Sequence, residues 1–124
     1  MVEYKADCPF RVVLERVCKK WTLLVLFILR DAGTLRFNAL RRLIPDVSQK
    51  MLVRALRFLE EDGYIERSVY GEVPPRVEYT LTELGLSLVE CFSPVVEWAE
   101  RHLDVIQENR GSVGEGSSRD MGKC

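Results

Sequence analysis

Three cations at helical spacing are the first feature of this sequence with chemistry in it. Lys50, Arg54 and Arg57 stand at i, i+4 and i+7, so a helix over this stretch presents them on one face. A helix fits the major groove of duplex DNA, and Arg, Lys and Gln are the side chains that pair with guanine and adenine edges there. Gln49 and Val53 flank the face, and Ser48 and Gln49 fall at the helix start, where free backbone N–H groups can hold a phosphate. The spacing assigns base contacts to Gln49, Lys50 and Arg54 and a phosphate contact to Arg57. Between Arg36 and Arg57 lie six basic residues, Arg36, Arg41, Arg42, Lys50, Arg54 and Arg57, against one acid, Asp46. That is a local charge of +5 in a 124-residue chain of net charge -1. Basic residues on an exposed helix are commonly no more than a solvated surface. Segregation of this degree, with the acids displaced to Glu60-Glu61-Asp62 and the last helix, is the electrostatic footprint of a DNA-binding face.

The elements that must position these residues can be taken from the hydrophobic period. Pro9 to Arg30 is helical in pattern, with Pro9 suited to a first turn, and Lys19-Lys20 interrupts it, which predicts two helices or one bent helix closed by Gly33. Thr34-Leu35-Arg36 is short and extended. Phe37 to Ile44 is a short helix with Phe37, Leu40, Leu43 and Ile44 inward and Arg41 and Arg42 outward. Pro45-Asp46 breaks it, and Ser48 caps a second helix, Gln49 to Asp62, with Met51, Leu52, Ala55, Leu56 and Leu59 inward and Gly63 as its stop. Two helices joined by so short a break form a helix-turn-helix.

After Gly63 the period becomes two. Ile65, Arg67, Val69 and then Val77, Tyr79, Leu81 predict two strands, each with one buried face, joined by a stiff tip at Gly71 to Pro75. Arg67 and Arg76 are the hairpin's candidate DNA contacts, although Glu66, Glu72 and Glu78 leave it slightly acidic. Thr82 caps a last helix, Glu83 to about Asn109, kinked at Pro94. The fold class is mainly α with a small β-hairpin: a winged helix-turn-helix over residues 1–109, with helices at 8–32 and 83–109, the recognition helix at about 48–62 and the wing at 65–82. Residues 110–124 are rich in glycine and serine and are expected to be a disordered tail.

The rest of the sequence narrows the class. The longest apolar stretch, Trp21 to Leu29, is far short of the roughly 20 residues a membrane helix needs. Met1 to Asp7 does not have the pattern of a secretory signal, so a cytoplasmic protein is expected. Cys8, Cys18, Cys91 and Cys124 have no zinc-knuckle or CxxC spacing, so no metal or cofactor is expected, and the thiols are expected to be reduced. An enzyme is not expected. His102 is the single histidine, and there is no nucleophile–base pairing, glycine-rich phosphate loop or apolar carboxylate pair. The last helix carries two apolar stripes, more than one small domain buries, and is about twice an average helix length, which points to a homodimer seam. A winged-helix adaptor that binds protein instead of DNA stays open on fold alone. A small-molecule pocket near Trp21, Phe27 and Trp98 stays open too, although all three are more simply core.

These residues together resemble the HxlR-type regulators, relatives of the MarR-type winged helices. The resemblance is carried by Cys8-Pro9, Lys20 to Leu24, Leu35 to Leu40, Ile44 to Leu52, Leu56 to Gly63 and Val73 to Thr82, in order over residues 8 to 98. It implies a homodimeric, sequence-specific transcriptional regulator on double-stranded DNA with a palindromic operator, and no catalysis. It also implies that the N-terminal segment and last helix form the dimer interface, with Phe10, Leu88, Phe92, Val95, Trp98 and Leu103 as the candidate residues. Some members of the family use a cysteine placed like Cys8, just before the first-helix proline, to sense oxidants or electrophiles. Cys8 is therefore the redox-sensing candidate, with an inert structural thiol as the default reading, and the resemblance allows a small molecule or an oxidant as effector.

Overall fold

The computed structural model describes residues 5–114. The chain divides into two units, Met1–Val89 and Glu90–Cys124. In the first unit the Lys19-Lys20 interruption separates two helices, α1 (Pro9–Val17) and α2 (Lys20–Ala32). The break is stable because its free carbonyls find a partner. The buried Thr22 hydroxyl lies 2.6 Å from the carbonyl oxygen of Val17 and 2.9 Å from that of Lys19, and shares its one hydrogen between them. Gly33, at φ 85°, ends α2 in a conformation that a side chain would disfavour.

Strand β1 (Leu35–Arg36) leads into α3 (Phe37–Leu43). The turn that follows is anchored by Val47, which is as buried as the core residue Ile44. Ser48 then caps α4 (Gln49–Glu61), its Oγ accepting from the Met51 N–H at 3.1 Å. α4 buries Leu52, Ala55, Leu56 and Leu59. Leu52, Leu56 and Leu59 meet Val25, Leu26 and Leu29 of α2, Leu40 and Ile44, and Ile65, in one continuous core. Met51 and Leu43, both expected inward, are exposed. Met51 lies at the edge of the buried arc of α4, and Leu43 sits in the last turn of α3, just before the chain turns away.

Strands β2 (Ile65–Tyr70) and β3 (Arg76–Leu81) form the hairpin, and β1 pairs with the outer side of β3, giving the antiparallel order β1-β3-β2. Leu35 pairs with Tyr79, Ile65 with Leu81 and Tyr70 with Arg76. Only the base of the hairpin is buried. Ile65 is fully covered, whereas Val69 is exposed, so the buried face expected along β2 does not extend to its far end. Thr82 caps α5 (Glu83–Gly114) by accepting from the Gly85 N–H at 3.1 Å, while donating to the Gly63 carbonyl at 2.7 Å. α5 belongs to the first unit as far as Val89, which is buried there. From Glu90 it forms the second unit, running without a break through Pro94 and on to Gly114. Residues 110–114, expected in the tail, are thus helical, and 115–124 lie outside the described residues. No helix among the described residues is long and apolar enough to cross a membrane.

Candidate nucleic-acid interface

The cap and the buried arc of α4 fix the direction of its remaining side chains. With Leu52, Ala55, Leu56 and Leu59 inward, Lys50, Arg54 and Arg57 point outward together, and all three are exposed. Arg36 on β1 and Arg41 and Arg42 on α3 are exposed as well. Arg41 donates to the Gln49 side-chain oxygen at 3.4 Å and so links α3 to the first turn of α4. Along α3 and the turn after it lies an open cleft of about 360 Å³ lined by Asn38, Arg41, Arg42, Pro45 and Val47.

The ion pairs of the first unit divide its arginines into two groups. Arg11 pairs with Glu15, Arg30 with Asp31, Arg67 with Glu60, and Arg76 with Glu72 and Glu78. Arg16 pairs with Glu61 and Asp62. Among the described residues, no ion pair involves Arg36, Arg41, Arg42, Lys50, Arg54 or Arg57. Like charges at i, i+4, such as Lys50 and Arg54, cost a helix about 0.2–0.5 kcal/mol. A cluster of unpaired cations that opposes folding slightly is what an anionic ligand would relieve.

The two wing candidates, unlike these six, are paired with acids. Arg67 faces α4, with Nε 3.5 Å from Glu60 Oε2, in a cleft of about 300 Å³ that it lines with Val53, Leu56, Arg57, Glu60 and Tyr79. Burial pushes the Tyr79 phenol in that cleft up from its ordinary value, with Arg67 opposing. Arg76 lies over the Tyr70 ring at 4.2 Å, with Nη1 3.1 Å from Glu72 and Nε 3.4 Å from Glu78. The Nε contact is at ion-pair range without hydrogen-bond geometry, so that atom is buried without a hydrogen-bond acceptor. Arg67 is thus paired with an acid of α4 and Arg76 with two acids of the hairpin.

Sequence periodicity missed one charged cluster. Arg16, in the last turn of α1, donates through Nε and Nη2 to both oxygens of Asp62 at 3.0 and 2.8 Å, and through Nη2 to Glu61 at 3.1 Å. Its guanidinium lies 4.8 Å from the Phe58 ring centroid, and Lys19 Nζ lies 5.1 Å from the same ring. The hydrogen bonds to Asp62, then to Glu61, hold the Arg16 proton still more firmly than usual. Nothing local in the sequence announces partners 46 residues apart.

Cys8 is buried and is the N-cap of α1, its sulfur accepting from the Arg11 N–H at 3.3 Å. Cys18 is half-buried, and burial pushes its thiol up. Cys91 is exposed, and Cys124 lies outside the described residues. No group of His, Cys, Asp or Glu among the described residues could hold a metal ion. Of the expected seam residues, Phe10 on α1 is 54% exposed, and Val95, Trp98 and Leu103 on the second unit are about half exposed. Leu88 and Phe92 are half-buried. Trp98 stacks on His102, whose Nδ1 lies 2.8 Å from the Trp98 carbonyl and therefore carries the hydrogen.

A family model described as HxlR-like helix-turn-helix matches residues 16–107. The HTH-type transcriptional regulator YtfH of Escherichia coli is 45% identical over 100 residues, covering 81% of this chain and 79% of that protein. Among solved structures, the transcriptional regulator ytfH from Salmonella typhimurium superposes with a TM-score of 0.78 at 40% identity, over 89% of this chain and 98% of the other. The redox regulator HypR in its oxidized form gives 0.70 at 41% identity, over 76% of this chain and 96% of the other.

Proposed function

Since this chain belongs to the HxlR-like helix-turn-helix family and is a DNA-binding transcriptional regulator, we propose that α4 enters the major groove as its recognition helix. The observation that carries this is the exposed, unpaired stripe Lys50, Arg54 and Arg57 opposite the buried face of a helix capped by Ser48. Gln49, Lys50 and Arg54, nearest the capped end, meet base edges. Arg57, Arg36, Arg41, Arg42 and the N–H groups behind Ser48 meet phosphate. Arg67 and Arg76 reach the duplex only by leaving their present acids, so the wing contributes less than α4. The chain acts by binding and not by catalysis, in the cytoplasm.

The protein works as a homodimer on a palindromic site. Supporting this are the exposed apolar side chains Phe10 on α1 and Val95, Trp98 and Leu103 on α5, with Leu88 and Phe92 beside them. Two recognition helices then address half-sites about one DNA turn, roughly 34–36 Å, apart. The test is equilibrium binding across a salt series. Affinity should fall steeply, with a logarithmic slope of about -0.9 for each phosphate contacted. A flat profile would favour a protein-binding adaptor instead.

Cys8 is the oxidant-sensitive residue of this regulator. Its thiol already accepts the Arg11 N–H, so oxidation of the sulfur disturbs the start of α1. The likeness to the redox regulator HypR supports an oxidant as effector. Cys8→Ser keeps a good cap and serves as the control. Loss of DNA binding after a mild oxidant in the parent but not in Cys8→Ser is the expected result, and a loss that survives the substitution removes Cys8 from the mechanism.

A further inference from the structure

The basic stripe of α4 ends on an acid. Glu61, eleven residues past Lys50, returns to within about 20° of the same face at 100° per residue. Asp62 follows as the helix C-cap. Carboxylates at the end of a face that meets phosphate would repel the duplex. Arg16 reaches over from α1 and meets both, two-pronged on Asp62 and once on Glu61. The cluster then carries a net charge of -1, where the two acids alone would carry -2. With 37% of the Arg16 side chain and 52% of the Glu61 side chain exposed, the single bond to Glu61 adds little to stability, and the two-pronged bond to the less exposed Asp62 is the firmer of the two. Water and salt screen the field of so exposed a cluster, so its effect along the α4 face is greatest at low salt.

We propose that Arg16 is a positioning residue for DNA binding, which masks Glu61 and Asp62 at the far end of the α4 stripe and so sets how strongly that face attracts phosphate. The proposal rests on α4 being the DNA-binding face.

The test uses the full chain and a random-sequence duplex, with affinity read by fluorescence anisotropy across a salt series. Arg16→Gln is expected to weaken binding roughly three- to tenfold at low salt, the loss fading as salt rises. Adding Glu61→Gln and Asp62→Asn to Arg16→Gln is expected to restore the parental affinity or better. The two acid substitutions with Arg16 kept are expected to bind tighter than the parent. An Arg16→Gln loss that the acid substitutions do not repair overturns the mask, since Arg16 would then touch DNA itself or hold the fold. Parental affinity in Arg16→Gln overturns it as well. If Arg16→Gln does not fold, the acid pair decides alone, and binding no tighter than the parent's refutes the proposal. Arg57→Ala, which removes an assigned phosphate contact of the same helix, measured alongside separates the two readings. If Arg57→Ala binds like the parent, the α4 face is wrong and the mask falls with it. If Arg57→Ala is weak while the Arg16 and acid variants leave binding unchanged, the mask alone is wrong.

Discussion

Six exposed cations without an acid partner give the protein its character at the scale of the residue, and they do not have equal roles. Arg54 stands mid-way along α4, one turn past Lys50 on the face assigned to base edges. Arg54→Ala should therefore cost about 1–3 kcal/mol on the specific operator and relax base preference at one position. Arg42 projects from α3, beside the groove and not into it. Arg42→Ala should weaken specific and random DNA alike and reduce the salt slope by about one contact. Measuring both variants on matched and scrambled duplexes distinguishes the roles. If both bind as the parent does, the face is misassigned. Arg67 and Arg76 illustrate the converse: their charge is already met by Glu60, Glu72 and Glu78, so side-chain type alone overstated their availability.

Among the elements, α4 and the start of α5 depend on small local devices. Ser48 satisfies a free N–H at the point where phosphate would bind, so Ser48→Ala should lower stability by about 0.5–2 kcal/mol. A urea titration followed by circular dichroism would show this, and a midpoint equal to the parent's would refute it. Gly85 lies against the chain that leaves α4. A Cβ there would overlap the Tyr64 carbonyl oxygen and crowd Leu81 Cδ1. Gly85→Ala should thus destabilise the first unit by roughly 1–3 kcal/mol, lowering its thermal midpoint by several degrees. An unchanged midpoint would mean that the backbone yields more readily than its neighbours suggest.

For the whole molecule, the question is assembly. Trp98 is half exposed on the second unit, stacked on His102, in the apolar stripe assigned to the dimer seam. Trp98→Glu should yield a monomer by sedimentation while far-ultraviolet circular dichroism keeps its helical signal. A monomer offers one recognition helix to a palindrome, so operator affinity should fall much further than affinity for random DNA. A Trp98→Glu protein that stays dimeric would move the seam elsewhere on α1 or α5.

The helices, the hairpin, the caps at Ser48 and Thr82 and the outward stripe Lys50, Arg54 and Arg57 were legible in the sequence. Each follows from a period or a cap within a few residues, and those are set by local backbone geometry. The break between α1 and α2, left open by the sequence, was decided by the Thr22 hydroxyl reaching two carbonyls. The pairing of β1 with β3, the exposure of Val69, the burial of Val47 and the capture of Arg67 and Arg76 by nearby acids all required tertiary structure. So did the meeting of Arg16 with Asp62 across 46 residues. Charge type is written in the sequence, but which charges neutralise one another depends on distances that only the packed chain sets.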